Sequence, residues 1–331
     1  MAIDLAVSVT FTPVRVRDLV VTSATFGGPV VIPYDPATAV AVTDALPPWA
    51  RLIGEMVSAT RPPSGGTLQV DGTLPAGAGL SSSAALSVAL AEVLGATGSA
   101  EDIAHLCQQA EHRAGVPVGI MDPLVCAGGR RGHALLVDAG TGTTRSVRIP
   151  PGAEFVVVDS GERRDLRGSP YAERVAECAA AAALIGPLGA ADDVDVAGVR
   201  DPVLRRRARH VVTECRRVHQ CVDAFESDDL AAVGALLTLS HLSLADDFAA
   251  STPALDDTVR ALASRPGVLG ARMTGAGFGG CVVALCHPGA LDPSTLSTRA
   301  WRVAAVDGTV AARSRVSHPR LPTTGTARGV G

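Results

Sequence analysis

Residues 75–85, PAGAGLSSSAA, carry the strongest chemical signal in the sequence. The preceding TLQVDGTL alternates like a strand, and the following AALSVALAEVLGAT has helical character. A glycine turn that opens directly into a helix collects free backbone N–H groups at the positive end of the helix dipole, where anions bind. Gly77 and Gly79, with Ala78 and Leu80 beside them, permit close backbone approach. Ser81, Ser82 and Ser83 offer hydroxyls to phosphate oxygens or to Mg²⁺. The plain alternative is a serine-capped helix after a glycine turn. A second string, GARMTGAGFGGC (270–281), places Gly275, Gly277, Gly279 and Gly280 within six residues. That is more backbone freedom than a tight turn alone demands.

The chain around these loops has 331 residues, 47% of them hydrophobic and 19% charged, which suits one large or two smaller folded units. A net charge of −4 and 3% aromatic residues give no nucleic-acid surface and no stacking platform. All 29 basic residues are arginine, and asparagine is absent as well as lysine. This excludes a Walker A loop, a protein kinase, and lysine-dependent Schiff-base chemistry. GC-rich coding bias accounts for the composition and leaves the exclusion standing. The seven cysteines lack metal-ligand spacing and read as reduced thiols, mostly buried, in a cytoplasmic protein. No segment approaches the about 20 apolar residues that span a bilayer, and the start has no signal-peptide pattern.

Residues up to about Ala45 read as strands and 47–60 as a helix. AEDIAHLCQQAEHRAG reads as another helix, and residues 132–161 return to strand character. Three helices are expected in the second half, from YAERVAECAAAAALIG, PVLRRRARHVVTECRRVHQCVDAF and DLAAVGALLTLSHLSLADDF. Strands and helices without strict alternation make the fold class α+β. Asp122 reads as a loop aspartate, a type more often found in turns and caps. Arg206, Arg207 and Arg209 read as a helix face making salt links.

The 75–85 string resembles the ATP-binding loop of the GHMP kinases, and LSSSAAL is most similar to the galactokinase branch. AEHRAGVPVGIMD (110–122), GHALLVD (132–138), SPYAERVAEC (169–178), RRARHVVTE (206–214), SHLSLADDF (240–248) and GARMTGAGFGGC resemble segments of that branch in the same order. The resemblance covers most of the chain from Met1 to about Leu285. It implies a two-domain GHMP kinase fold: an N-terminal domain like ribosomal protein S5 domain 2 over 1–155, and a ferredoxin-like C-terminal domain over 156–315. A disordered tail is expected over 316–331.

The resemblance also implies roles. Asp122 matches the family's catalytic aspartate and would accept the sugar hydroxyl proton. Glu111, with Ser83, would coordinate Mg²⁺, an arrangement of carboxylate, hydroxyl, phosphate and water that this cation prefers. The bland reading of Glu111 is a solvated helix-end residue. Tyr171 and Gly119 would contact the sugar, and Gly275 and Gly277 would close beside the nucleotide. The implied substrates are ATP and galactose, the product galactose 1-phosphate, and the working unit a monomer without nucleic-acid or membrane partners. Two departures stand out: Pro123 replaces the family's usual Gln, and the Glu111–Asp122 spacing is one residue short. A string resembling GRVNLIGEHTDYNGG, which in the branch precedes a MAID-like segment and supplies a catalytic Arg, is not found. Met1 as an internal methionine of a longer protein, or a true short form, would each account for that. The rival functions are a kinase for another sugar or small alcohol, and a non-catalytic ATP- or galactose-binding regulator.

Overall fold

The computed structural model describes residues 1–313 apart from 15, 25, 36–41, 43–44, 76–77, 117 and 164–169. The expected tail over 316–331 lies outside the described residues. The first unit contains β1 (Val7–Pro13), β2 (Asp18–Ser23), β3 (Val30–Pro33) and β4 (Gly66–Gly72), with α1 (Pro48–Thr60) between β3 and β4. α2 (Ser82–Val93), α3 (Ala100–Arg113) and α4 (Met121–Gly128) follow. The sheet runs β1-β4-β2-β3, with β4 parallel to β2 and the other pairs antiparallel. Burial alternates along β1 and β4, as a strand with one covered face requires. That face sends Leu19, Ile32 and Leu68 against Ile53 and Met56 of α1, Leu90 of α2 and Ile103 of α3. Ser99 and Asp102 close a reciprocal capping box that starts α3.

Two strands, β5 (His133–Val137) and β6 (Thr144–Arg148), pair on their own as a hairpin. The second unit holds β7 (Glu154–Asp159), α5 (Tyr171–Ile185), α6 (Asp193–Gly198), α7 (Pro202–Glu226), α8 (Leu230–Asp246), α9 (Pro253–Ala263), β8 (Val268–Met273), β9 (Cys281–Cys286), β10 (Ala300–Val303) and α10 (Thr309–Arg313). Its sheet runs β10-β7-β9-β8, antiparallel throughout. The run CVVALC is apolar without alternation because β9 is covered on both faces. Val156, Val158, Val282 and Ala284 meet Leu255, Val259 and Leu262 of α9. On the other face, Leu285 meets Val222 and Phe225 of α7 and Val147 of β6. Further along that face, Val157 and Cys281 pack with Ala78 and Leu80, so the second sheet supports the first glycine loop directly.

The mixed, non-alternating order agrees with the α+β expectation. A division at 155/156 would fall inside β7, and after β10 residues 304–313 return to the first unit, where α10 packs on α4 and α2. The sequence reading missed α4, α6, α9, β10 and α10. α4 and α6 are eight and six residues long, too short for a 3.6-residue period to show. α9 did carry a signal, Thr252 as a hydroxyl cap with Pro253 in the first turn. All seven cysteines are free: three are buried, three half-buried and Cys215 exposed. Among the described residues no helix is long and apolar enough to cross a membrane.

α8 lies against β8 at the sheet edge, where Gly234 and Gly270 meet backbone to backbone. A Cβ on either would strike the other chain segment, and neither backbone can give way without moving a helix or a strand. Gly270→Ala should therefore lower stability by about 3 kcal/mol, the upper range for overpacking, in urea unfolding. An unchanged midpoint would mean that the helix is free to move away from the strand.

Candidate active site

The first glycine loop enters α2 without a conventional cap. Ser81 is the N-cap residue, in the left-handed region at φ 57°, and its hydroxyl does not cap the helix. The serine-capped alternative is thereby overturned. The first helical hydrogen bond is Ala85 N–H to the Ser81 carbonyl, so the amides of the first turn, Ser82 and Ser83 among them, stand ahead of the helical ladder. Gly79 is left-handed at φ 71°, Ala78 is buried, and Leu80 packs on the second sheet. Gly77 lies outside the described residues.

The second loop is the turn between β8 and β9. Thr274 N–H donates to the Cys281 carbonyl at 2.9 Å and closes its base. Gly275, Gly277, Phe278, Gly279 and Gly280 all have positive φ, which explains the density of glycine there. Gly280 faces the first loop: a Cβ on it would lie 2.9 Å from the Ala78 carbonyl oxygen and 3.5 Å from the Gly79 Cα. The Thr274 hydroxyl, which donates to the Cys281 carbonyl of its own loop at 3.1 Å, also lies 3.4 Å from the Gly79 carbonyl. Two segments almost 200 residues apart thus share one edge of the site. Gly277 does not face that edge. It presses on the Ala250 carbonyl, which also accepts Phe278 N–H at 2.8 Å, so Gly277 shapes the loop from behind.

Glu111 ends up far from solvent. It lies near the end of α3 with 0% exposure, which overturns the reading of a solvated helix-end residue. Its Oε1 accepts Ser87 Oγ at 3.1 Å, while its buried Oε2 has no hydrogen-bond partner. Burial pushes its carboxyl above the usual range; the Ser83 and Ser87 hydroxyls oppose this, and Asp122 adds to the rise. A buried, half-satisfied carboxylate beside a hydroxyl is costly unless a cation completes it. Ser87 escaped the sequence reading because a serine inside an apolar helix gives no pattern.

Asp122 is not in a loop. It is the second residue of α4, half-buried, and its charge is felt by Glu111 and by Cys126 one turn further on. Burial raises the Cys126 thiol to about 12, with Asp122 the next cause, so that thiol is protonated and inert. Pro123 takes the third helical position, where no intrahelical N–H bond is required, and Leu124 N–H makes the first one to the Ile120 carbonyl. The connection from α3 is tied down by Gln108 Nε2 and the His112 ring, which both engage the Val118 carbonyl, at 3.2 and 2.8 Å. Gly119 at its end faces open space, with nothing within 4 Å of a would-be Cβ.

Ser83, Glu111, Asp122, Gly79 and the second loop are therefore gathered at one place. Tyr171 begins α5 and is half-buried; among the described residues no hydrogen bond or ring contact joins it to the others. Of the arginine cluster, Arg207 is buried against Glu177 at 2.6 Å and Arg209 pairs with Asp247, so both work as structural links. Thr274, also missed from sequence, closes the base of the second loop and touches the first at Gly79.

Comparison with known proteins matches most of this chain. The family model described as GHMP kinases N terminal domain matches residues 50–130, and the one described as GHMP kinases C terminal matches 221–293. The chain is 39% identical over 279 residues to a galactokinase of Chloroflexus aurantiacus, covering 80% of this chain and 70% of that protein. It is 40% identical over 293 residues to a galactokinase of Mycobacterium bovis, covering 84% and 79%. For the human galactokinase the identity is 39%, with 74% of this chain and 66% of the relative covered. The structure of Lactococcus lactis galactokinase complexed with galactose superposes with a TM-score of 0.82 at 25% identity, over 92% of this chain and 87% of that one. A mevalonate kinase shares the fold at TM-score 0.63 and 18% identity.

The raised Glu111 carboxyl makes a prediction about stability. Between its usual titration range and its higher folded one, the native state holds more protons than the unfolded chain, so this group's contribution falls as pH rises through that window. Glu111→Gln should thus raise the thermal midpoint of the ligand-free protein at pH 8 and gain less at pH 4. A midpoint lowered at both pH values would show that the charged carboxylate is a structural partner.

Proposed function

This chain belongs to the GHMP kinases as a member of the galactokinase group, and we propose on that premise that it transfers the γ-phosphoryl group of ATP to galactose, giving galactose 1-phosphate. The observation that carries the reading is the meeting of the two glycine loops beside the Ser83–Glu111–Asp122 group.

ATP phosphates belong at the start of α2, where the amides of Ser82 and Ser83 and the Ser81–Ser83 hydroxyls face them, with Ala78, Gly79 and Leu80 forming the approach. Gly275, left-handed in the same second loop, is assigned to the nucleotide as well, and Gly277 holds that loop in shape. Ser83 and Glu111 would hold Mg²⁺, and the unpartnered buried Oε2 of Glu111 fits a hard cation. When bound, that ion neutralises charge on the phosphates. The open side of Gly119 gives the sugar room next to Asp122, and Tyr171 is assigned to the sugar as well. Asp122 accepts the proton of the anomeric hydroxyl as its oxygen attacks the γ-phosphorus, and ADP departs. Little covalent work falls to the protein, so rate comes from alignment and charge placement. The working unit is assigned as a monomer. Seven free thiols support the cytoplasm as its location.

Sugar-dependent ADP release with Mg-ATP, galactose and its epimers tests this. The wild type should turn over galactose, and Asp122→Ala should lower kcat by about 10²–10⁴ while nucleotide binding persists. Preference for another sugar would keep the kinase and reassign its substrate. Nucleotide binding without turnover would point to a regulator.

A further inference from the structure

Residues 300–313 leave the second sheet as β10 and run back across the first unit. Ile3 bridges Ala305, Val306 N–H donates to the Ala2 carbonyl at 3.0 Å, and Ala304 N–H donates to Asp4 Oδ1 at 3.0 Å. The strap then meets the end of α4 opposite Asp122. Gly308 N–H donates to the Gly129 carbonyl at 2.8 Å, directly beyond the helix. Asp307, its side chain 8% exposed, accepts Arg131 N–H on Oδ1 at 2.9 Å. α10 continues over α4 and α2, and Arg313 Nε closes on both carboxylate oxygens of Glu92, at 2.5 and 2.6 Å.

The contact at Gly308 is the tightest of these. A Cβ there would lie 2.6 Å from the carbonyl oxygens of both Cys126 and Ala127, the last turn of α4. Backbone faces backbone, so a methyl group cannot be absorbed by a side-chain rotation. α4 itself is only eight residues, about 12 Å long, too short to define its own position. Its sides pack on α3 and α2, and the strap adds a backbone stop at its C-terminal end.

We propose that Gly308 and Asp307 are positioning residues for Asp122: the strap fixes α4 along its axis and thereby sets how far the Asp122 carboxylate reaches into the site. The inference rests on Asp122 being the base. A displacement of about 1 Å at a catalytic group can cost on the order of 10²-fold in rate.

The test compares the wild type with Gly308→Ala, Asp307→Ala and Asp307→Asn, using Mg-ATP and galactose, with hydrogen exchange measured in parallel. Gly308→Ala and Asp307→Ala should lower kcat roughly tenfold or more and leave KM for ATP within about twofold. Asp307→Asn keeps an acceptor for Arg131 N–H and should retain most of the wild-type kcat. In the two impaired variants residues 121–128 should exchange faster, with residues 100–113 unchanged. An unaltered kcat in Gly308→Ala, a matching loss in kcat and ATP affinity, or Asp307→Asn failing like Asp307→Ala would each overturn the proposal. If Gly308→Ala does not fold, the Asp307 pair decides. A wild type that makes no phosphorylated sugar overturns the functional reading instead, and the exchange data then still show whether the strap holds α4.

Discussion

The site depends on two backbones meeting in van der Waals contact, Ala78–Gly79 from the first unit and Gly280 from the second. No side chain larger than hydrogen fits at position 280, because the Ala78 carbonyl occupies the space a Cβ would take. Closure is secured from below by Val157, Cys281 and Val303 packing on Ala78 and Leu80, with the Thr274 hydroxyl touching Gly79 from above. The arrangement draws two sheets, remote in sequence, to one edge. That edge is lined with backbone amides, the groups that recognise phosphate with least dependence on side-chain charge. A chain without lysine can hold a nucleotide in this way.

Local order is sacrificed where the chemistry requires it. Ser81 and Phe278 adopt left-handed backbone conformations, each costing about 1–2 kcal/mol for a residue with a side chain. Glu111 is held in the interior with one oxygen unsatisfied. These features are unfavourable in themselves, and under the proposed function a cation held at Glu111 would offset the cost of its unsatisfied oxygen. The large apolar cores flanking the site, Leu19–Ile53–Leu90 on one side and Val156–Val282–Leu255 on the other, supply the rigidity that keeps them in place.

Much of this was legible in the sequence. Glycine marks both loops because their left-handed conformations admit few other residues, and the long amphipathic helices declare themselves by period. What could not be read depends on tertiary contact. Ser87 and Thr274 have no pattern of their own, yet one holds Glu111 and the other closes the second loop against Cys281 beside the first. α4 escaped because eight residues with a proline at the third position look like a turn. The burial of Glu111 was hidden because a charged residue near a helix end ordinarily faces water. Gly277 was legible as loop glycine, but its orientation toward Ala250 is a property of the packed structure.

The most direct test of the account is a ³¹P NMR time course of this chain with Mg-ATP and galactose. The account predicts loss of the ATP γ-phosphate resonance and growth of one phosphomonoester signal coupled to the anomeric proton of the sugar. Growth of inorganic phosphate alone, or an unchanged ATP spectrum with nucleotide bound to the folded protein, would contradict it.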